Sequence, residues 1–520
     1  MNKTVSIGLR PIGLMTAAWL MFGGLSLTML SGCTSEAQPW GGAAKANDRA
    51  RSAKASPHPM VGRGTSLIVD PFALSPESER ELGRFRDVYN EYALASDNRL
   101  QFEHFRDAFA RVKAEYVQDI PAARLIDTAI AGVHKLDPKP HSRKSRELVE
   151  AGLDSMVGEL DPHSTYLNPD ELHEMRVSMQ GEFGGLGMHI SGEEGLVRIV
   201  APMENTPAAR AGLKSGDMIT HVDGTSLQGL SLTEAVKRMK GTPGTDVRLT
   251  IRREGVSTFE VTVTRAIIRV DTVQSRVEGN IGYIRVNSFT GKMDDDVKAA
   301  IKGLYRELGL KMAGVILDLR DNPGGLLDES VFLADLFLES GRIVSVKGRD
   351  PRTDRNYDAE SVEQGDRIAG LPLVVLINDG SASASEIVAG ALQDHRRATV
   401  MGVRSFGKGT VQTIMPLPLE GAVKFTTAIY RLPSGRAIQG HGIQPDIAIT
   451  AGTAAESRRE SSLPNALPTA TESQTRVRAT VDEKECPKIA SRDDAMLNCA
   501  LSFLNAGSDE KFMAVVGHAM

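Results

Sequence analysis

Three serines at alternate positions, Ser381, Ser383 and Ser385, lie in a run of small residues that follows a strongly apolar segment. A serine hydroxyl becomes an effective nucleophile when a neighbouring base removes its proton. The nearest downstream candidate for that base is Lys408, which has a glycine on each side. Lysine accepts a proton only when it is neutral, so burial would have to lower its pKa from about 10.4. These residue types predict nucleophilic attack on a carbonyl carbon.

The serines stand between a predicted strand and a predicted helix. The apolar run Leu373 to Ile377 is typical of a buried strand, and Val388 to Gln393 has a helical pattern. A turn of small residues between them can hold a hydroxyl at the sheet edge, with backbone N–H groups at the helix start pointing to the same place. That arrangement is an oxyanion hole. Helix capping explains serines here equally well, and a solvated loop is the ordinary place for a lysine between glycines, so neither motif decides the function alone.

A second turn could add to the same site. The apolar run Gly314 to Leu319 predicts another buried strand, and the chain after it reaches Gly324 and Gly325 within a few residues. Two successive glycines allow backbone conformations that other residues rarely adopt. An N–H group of this loop could donate to an oxyanion, although a simple strand-to-helix turn explains the loop in isolation just as well.

Together the three elements resemble the carboxyl-terminal processing peptidases, also called tail-specific proteases, of the S41 serine peptidase family. In that family the middle serine of the Ser-Ala-Ser-Ala-Ser-Glu run is the nucleophile, which corresponds to Ser383. The lysine of Phe-Gly-Lys-Gly is the general base, which corresponds to Lys408, and a glutamine one helical turn further supports it, matching Gln412. The resemblance therefore implies a serine endopeptidase with a Ser-Lys dyad.

The same resemblance implies the oxyanion donors and the fold. The donors would be the N–H of Ala384 and that of Gly324 or Gly325. The similarity spans roughly residues 100 to 450. It implies a multidomain α/β protein, in which a ClpP/crotonase-like peptidase core carries an inserted PDZ domain and a helical N-terminal region.

A glycine-rich, β-patterned module precedes the core and resembles a PDZ domain. In it, Gly184, Gly185, Leu186 and Gly187 take the place of the carboxylate-binding loop. Successive N–H groups there could capture a peptide's C-terminal carboxylate, while the peptide adds as a strand beside Met188 to Ile190. A purely structural β-turn is the alternative for this loop. The expected partners are protein or peptide substrates with free C-termini.

The first forty residues have the layout of a secretory signal. Lys3 and Arg10 precede an apolar run from Pro11 to Leu30, and Cys33 follows in a sequence that resembles the bacterial lipobox. This predicts a protein on the periplasmic side of the bacterial cell envelope, attached to a membrane by a lipid on Cys33. An uncleaved membrane helix is the alternative, because the run is about long enough to span a bilayer.

Composition along the chain, together with the resemblances above, predicts six segments. In the core, strands and helices alternate, which favours buried strands covered by helices. The segment after the core is polar, and its role stays open. The predicted segments are a lipoprotein signal peptide at 1–32, a flexible tether at 33–75, a helical region at 76–175, a PDZ domain at 176–266, the serine peptidase core at 267–450, and a polar linker with a short helical tail at 451–520.

Charge and residue counts exclude several functions. The net charge of −5 gives no electrostatic reason to bind nucleic acid. The 11 histidines have no spacing suited to a metal, so neither a metal nor a cofactor is predicted. If Cys33 carries lipid, Cys486 and Cys499 remain as a disulfide or as two free thiols. A regulatory adaptor and a homo-oligomer both stay open as partners.

Asp394 and His395, just after the serines, suggest a Ser-His-Asp triad. Neighbours on a helix point about 100° apart, however, so the two cannot readily bond to each other as a triad requires. Two other functions compete: a non-enzymatic PDZ adaptor and a crotonase-type acyl-CoA enzyme. The presence of both Ser383 and Lys408 disfavours the adaptor, and the export signal disfavours the acyl-CoA enzyme because coenzyme A is cytoplasmic.

Overall fold

The computed structural model describes residues 72–94, 98–193, 195–203, 205–269, 272–360, 365–450, 459–469, 477–490 and 493–517. The predicted signal peptide, Cys33 and nearly all of the predicted tether lie outside these residues. Within the described ranges, no helix is long and apolar enough to cross a membrane. In the same ranges, no group of histidine, cysteine or acidic side chains has an arrangement that could hold a metal ion.

The N-terminal region consists of helices that pack through aromatic side chains. Its four helices are α1 (Pro76–Tyr92), α2 (Asn98–Glu115), α3 (Ala122–His134) and α4 (Ser145–Gly158). The rings of Phe85 and Phe105 stack with centroids 3.7 Å apart. At Gly132 a Cβ atom would lie 2.4 Å from the carbonyl oxygen of Ala151, so glycine lets α3 and α4 approach closely. Phe425 of the core joins this cluster, which ties the helices to the peptidase core.

A short strand and a helix connect this region to the β-rich module. The module's main sheet has the order β3-β4-β5-β7-β8 with β6 beside β5, and every pair in it is antiparallel. A separate antiparallel pair is formed by β2 and β9, the first and last strands of the module in sequence. The elements are β1 (Thr165–Leu167), α5 (Pro169–Met179), β2 (Glu182–Gly185), β3 (Met188–Glu193), β4 (Leu196–Pro202), α6 (Pro207–Arg210), β5 (Met218–Val222), β6 (Thr225–Ser226), α7 (Leu232–Met239), β7 (Asp246–Arg252), β8 (Phe259–Thr264) and β9 (Ala266–Arg269).

The core contains two sheets. A seven-stranded sheet has the order β10-β11-β12-β15-β16-β19-β20, in which only β10 and β11 are antiparallel to each other. A second, antiparallel sheet has the order β1-β18-β13-β14, with β17 also paired to β18. The remaining elements are β10 (Val273–Glu278), β11 (Ile281–Val286), α8 (Met293–Leu308), β12 (Gly314–Asp318), α9 (Leu327–Asp335), β13 (Gly341–Gly348), β14 (Arg355–Ala359), β15 (Leu373–Ile377), α10 (Ala384–Asp394), β16 (Thr399–Gly402), β17 (Thr410–Pro416), β18 (Ala422–Arg431), β19 (Ile447–Thr450), β20 (Ala479–Asp482), α11 (Ala495–Ala506) and α12 (Asp509–Gly517).

Helices cover both faces of the seven-stranded sheet. Successive residues of a strand point to opposite faces. On β12, Val315 and Leu317 pack with α8, α9 and α10, whereas Ile316 packs with α11 and α12. Near-continuous apolar strands are expected in such a doubly covered parallel sheet. The predicted α/β fold with a β-rich module and a helical N-terminal region is confirmed.

The tail is more than the polar linker and short helix that the sequence predicts. Its strand β20 pairs in parallel with β19 and extends the sheet, and its two helices cover one face. The predicted helix from Asp494 to Leu504 is observed as α11, which Asp494 caps by accepting a hydrogen bond from Leu497 N at 3.0 Å. Cys486 and Cys499 form a disulfide, which settles the alternative that the sequence left open.

Candidate active site

The serine turn, residues 378–386, joins β15 to α10 and holds Ser383 in a strained conformation. Ser383 has φ 54° and ψ −113°, a combination that residues with a Cβ rarely adopt. Ser381 Oγ donates to Leu319 O at 2.8 Å, and Ser385 Oγ donates to Asn322 O at 2.8 Å. Both flanking hydroxyls are therefore bonded to buried main chain, whereas Ser383 lines the central cavity.

The lysine loop, residues 403–409, lies between β16 and β17 and carries Lys408 into the same cavity. Burial, and to a smaller extent the nearby positive charge of Lys424, lower the pKa of Lys408 to about 8. The carboxylates of Glu460, Glu386 and Asp161 act in the opposite direction and raise it. A lysine with this pKa is substantially neutral in mildly alkaline solution, as a general base must be.

Glu386 connects the serine turn to the lysine loop. Its carboxylate is fully buried and accepts four hydrogen bonds. Oε2 accepts from Ser383 N at 2.7 Å and Lys408 N at 2.9 Å, and Oε1 accepts from Ser405 Oγ at 2.5 Å and Gly407 N at 2.7 Å. Burial raises the pKa of Glu386 to about 7, while these four donors act to lower it. This role was not predicted from the sequence, although the glutamate that closes the serine run was a visible signal.

The cavity brings together most of the predicted catalytic residues. It has a volume of about 720 Å³, and its lining includes Ser383, Lys408, Gln412, Lys424 and Tyr430. Burial raises the pKa of Tyr430, whereas its interaction with the Ser383 side chain acts to lower it. Among the hydrogen bonds of the described residues there is none between Ser383 Oγ and Lys408 Nζ. The nucleophile is thus close to its predicted base but is not engaged with it.

Gln412 lies in the cavity, but not one helical turn beyond the lysine. It lies on strand β17, next to a register shift between Val411 and Gln412. Its Nε2 donates to Thr410 Oγ1 at 2.9 Å and to Thr426 Oγ1 at 3.2 Å. The β-branched residues around it favour a strand, which explains the difference from the helical spacing. In this structure the Gln412 amide therefore binds threonines rather than Lys408.

The glycine loop after β12 closes against the serine turn. Gly324 has φ 100°, and a Cβ atom there would lie 2.9 Å from Ser383 Cβ and 3.0 Å from Ala384 N. Gly324 N donates to Asn322 Oδ1 at 2.9 Å. In the described part of the chain, the N–H groups of Gly325 and Ala384 donate no hydrogen bond. Of the three predicted oxyanion donors, these two are free, and the N–H of Gly324 is occupied.

The tail reaches the base of this glycine loop. Arg320 Nη2 bonds to Asp318 Oδ2 at 2.5 Å and to Asp494 Oδ2, at the start of α11, at 2.7 Å. Burial acts to lower the pKa of Arg320, but the hydrogen bonds with the two carboxylates raise it overall. Asp318 also accepts from Tyr283 Oη at 2.7 Å. A buried ion network therefore anchors the loop that carries Gly324 and Gly325.

The predicted carboxylate-binding loop is divided between a strand and the turn that follows it. Gly184 and Gly185 belong to β2, which pairs with β9, so only Leu186 and Gly187 form the turn. The carbonyls of these two accept from Ala208 N at 2.8 Å and Met203 N at 2.9 Å, whereas their N–H groups donate no hydrogen bond within the described ranges. Strand β3 lies at an edge of its sheet. A donor pair next to an open strand edge is what strand addition of a peptide requires.

Asp394 and His395 have structural partners. Asp394 Oδ1 pairs with Arg436 Nη2 at 2.9 Å, and its Oδ2 accepts from Ser434 N at 3.0 Å. His395 is the C-cap of α10, and its Nε2 lies 2.6 Å from Arg342 O. Neither residue lines the cavity that contains Ser383. The arrangement contains no Ser-His-Asp triad at these positions.

Comparisons with known proteins agree with this architecture. The model of peptidase family S41 matches residues 280–449, and that of the PDZ domain matches residues 198–253. A carboxy-terminal-processing protease of Bartonella bacilliformis is 46% identical over 351 residues, which cover 67% of this chain and 75% of that protein.

Two solved structures are also similar. The photosystem II D1 C-terminal processing protease is 28% identical, with a TM-score of 0.43, over 67% of this chain and 93% of the other. The PDZ domain of a carboxy-terminal protease from Vibrio cholerae, solved in complex with a peptide, is 26% identical, with a TM-score of 0.16, over 17% of this chain and 99% of the other. On the identity and coverage of the Bartonella relative, this chain belongs to the carboxy-terminal-processing proteases of peptidase family S41 and is a serine-type peptidase with a PDZ domain.

Proposed function

We propose that the protein is an endopeptidase that uses a Ser383–Lys408 dyad and cleaves envelope proteins or peptides recognised by their C-terminal tails. One observation carries the proposal. A strained Ser383 and a buried Lys408 with a pKa of about 8 line one cavity, and Glu386 binds the main-chain N–H groups of both residues. Perturbed groups that converge on a cavity are typical of catalytic sites.

In the proposed reaction, neutral Lys408 Nζ takes the proton of Ser383 Oγ as Oγ bonds to the scissile carbonyl carbon. The N–H groups of Ala384 and Gly325 donate to the oxyanion, joined by Gly324 if its bond to Asn322 opens. The C–N bond then breaks, and Lys408 gives its proton to the leaving amine. Lys408 next deprotonates a water molecule, which attacks the ester carbonyl. When the ester C–O bond breaks, Lys408 returns the proton to Ser383 Oγ and a new carboxylate is released.

The PDZ module is proposed to control this dyad. In the described state Ser383 Oγ makes no hydrogen bond with Lys408 Nζ, and Gln412 is bonded to threonines, so the site must rearrange before Lys408 can act. The module borders the cavity directly, through Gly184 and the residues 240–243. A peptide tail bound at Leu186 and Gly187 would move these lining residues and select the state in which Lys408 meets Ser383.

The cellular location is part of the proposal. The apolar run and Cys33 support export and lipid attachment on the periplasmic side of a bacterial envelope. Changing Cys33 to serine should release the protein from the membrane fraction. Continued sedimentation of that variant with membranes would instead favour an uncleaved membrane helix.

The dyad is tested by substituting each serine of the run in turn. Ser383→Ala should abolish hydrolysis of a fluorogenic peptide, because the attacking oxygen is removed. Ser381→Ala and Ser385→Ala should keep a measurable rate, since those hydroxyls only bind main-chain carbonyls. Each should lower the free energy of unfolding by about 1–3 kcal/mol through a lost buried hydrogen bond. A fully active Ser383→Ala variant would refute the proposed nucleophile.

The PDZ function is tested with two peptides that differ only at the C-terminus. A peptide with a free carboxylate should be cleaved faster than its amidated twin. Gly187 has φ 76°, and a Cβ atom there would lie 2.3 Å from Thr206 Cβ, so Gly187→Val should distort the turn and remove the difference. Equal rates with the wild-type enzyme would show that the carboxylate is not productively recognised.

A further inference from the structure

The segment 459–469, which follows the core, packs on the lysine loop. Arg459 Nη1 donates to Arg404 O at 3.2 Å and to Ser405 O at 2.9 Å. Glu460 N donates to Phe406 O at 3.3 Å. Three consecutive carbonyls of the lysine loop therefore bind this segment, immediately before the part of the loop that carries Lys408.

The side chain of Glu460 makes a second connection to the same loop. Its carboxylate is fully buried, and Oε2 lies 2.8 Å from His163 Nε2. Oε1 accepts from Gln439 Nε2 at 3.2 Å, and Gln439 Oε1 accepts from Gly409 N at 2.9 Å. A chain of bonds thus runs from His163, ahead of the PDZ module, through Glu460 and Gln439 to the residue after Lys408.

Burial makes this arrangement well defined. A buried carboxylate is unfavourable unless polar partners surround it, so Glu460 has few other places to lie. The main chain of His163 is held as well, because its backbone N–H donates to Asp161 Oδ1 at 2.9 Å. Contacts on both sides of Lys408 restrict where its Nζ can go, and a catalytic group must be held within about 0.5 Å of its working position.

We propose that Glu460 is a positioning residue for Lys408, and that the segment 459–469 supports the general base through the bonded chain His163–Glu460–Gln439–Gly409. The inference rests on the proposed role of Lys408 as the base. It assigns a function in catalysis to a segment that lies beyond the matched peptidase family model.

The charge of Glu460 gives this role a recognisable signature. Several charged groups act on Lys408, and the cavity that Lys408 lines also holds the hydroxyls of Ser383 and Tyr430. The charged groups are Lys424 on β18, Glu386 on α10, Asp161 ahead of β1, and Glu460. Because Glu460 raises the pKa of Lys408, removing its charge should lower that pKa. A purely structural defect would slow the enzyme without moving the pH at which the base loses its proton.

The experiment measures kcat and kcat/KM against pH for the full chain and three variants. Glu460→Gln should lower kcat about tenfold to a hundredfold and shift the acid limb of kcat/KM to lower pH. Gln439→Leu should lower kcat similarly without that shift, because it breaks the link to Gly409 but keeps the Glu460 charge. Arg478→Gln is the control, since Arg478 is a tail residue that pairs with Asp446 and Asp509 and does not touch the lysine loop.

The outcomes separate this inference from the proposed dyad. An inactive Ser383→Ala variant combined with wild-type rates and pH profile for both Glu460→Gln and Gln439→Leu would overturn the inference and leave the dyad standing. An equal loss in Arg478→Gln, without any pH shift in Glu460→Gln, would also overturn it. A fully active Ser383→Ala variant would overturn the dyad itself. If Glu460→Gln does not fold, Gln439→Leu still decides whether the bonded chain matters for kcat.

Discussion

The serine turn and the lysine loop hold their reactive residues in different ways. The serine turn is a strand-to-helix connection, in which a helix start and two buried hydroxyls fix the conformation of Ser383. The lysine loop has no regular structure, and its main chain is held by side chains from three distant segments, Glu386, Gln439 and Arg459. The nucleophile is therefore positioned by local architecture, whereas the base is positioned by tertiary contacts.

The largest expected effect comes from the residue that joins the two regions. Glu386→Gln should lower kcat at least about a hundredfold, because both oxygens of Glu386 accept from fixed donors and an amide nitrogen cannot replace either one. The free energy of unfolding should fall by about 1–3 kcal/mol for each donor left unpaired. Steady-state kinetics and chemical denaturation measure the two effects.

A matched control exists for this substitution. Burial also raises the pKa of Glu329 to about 7, but its Oε2 has no hydrogen-bond partner among the described residues. Glu329→Gln should therefore leave kcat unchanged. If the two glutamine variants lose activity equally, Glu386 does not couple the serine turn to the lysine loop.

This difference explains how much of the site the sequence could predict. The turn around Ser383 was predictable because an apolar strand, small residues and a helix follow one another along the chain. The contacts of Gln439 and Glu460 could not be predicted from a sequence pattern, since they come from single residues 31 and 52 positions beyond Lys408 and depend on tertiary packing. Lys424 and Tyr430 were missed as well, although both lie on one strand, β18, that enters the cavity.

The fold shows the same limit. The core strands were predictable as apolar runs, but β20 has only four residues and too little pattern to be distinguished from a linker. Gln412 was expected one helical turn beyond Lys408 and lies on a strand, because the β-branched residues around it favour an extended backbone. Helix α11 was predicted, but the packing of α11 and α12 on the far face of the seven-stranded sheet could not be, since that contact joins segments far apart in the sequence.

A second prediction concerns the cost of keeping the base in the lysine loop. The pKa of Lys408 is lowered from 10.5 to about 8, so the charged lysine favours the unfolded chain. Below pH 8 the buried charge lowers the free energy of unfolding by its full amount, on the order of 3 kcal/mol. This penalty disappears as the pH rises to 10.5. Lys408→Met should therefore be inactive and yet more stable than the wild type at pH 6, with the advantage fading between these two values.

Denaturation of both proteins across the pH range checks this. Ser383→Ala is the control, because it is also inactive but leaves Lys408 in place, and its stability should follow the pH dependence of the wild type. A constant difference between Lys408→Met and the wild type at every pH would mean that Lys408 is not desolvated in the folded protein.

The smallest expected effect tests whether the base is tuned by its neighbours as well as held by them. Lys424 lies on β18 beside Thr165 and Ile414, and its positive charge lowers the pKa of Lys408. Lys424→Met should raise that pKa, shift the acid limb of kcat/KM to higher pH, and reduce kcat/KM at pH 7 by less than about tenfold. The shift is opposite in sign to the one expected for Glu460→Gln, so the acid limbs of the two variants lie on either side of the wild-type limb.

The control is Lys347→Met, which removes a lysine that pairs with Asp354 outside the cavity lining and should leave the pH profile unchanged. A shift to lower pH in Lys424→Met would contradict the assignment of Lys408 as the titrating base, because removing a neighbouring positive charge can only make a lysine harder to deprotonate.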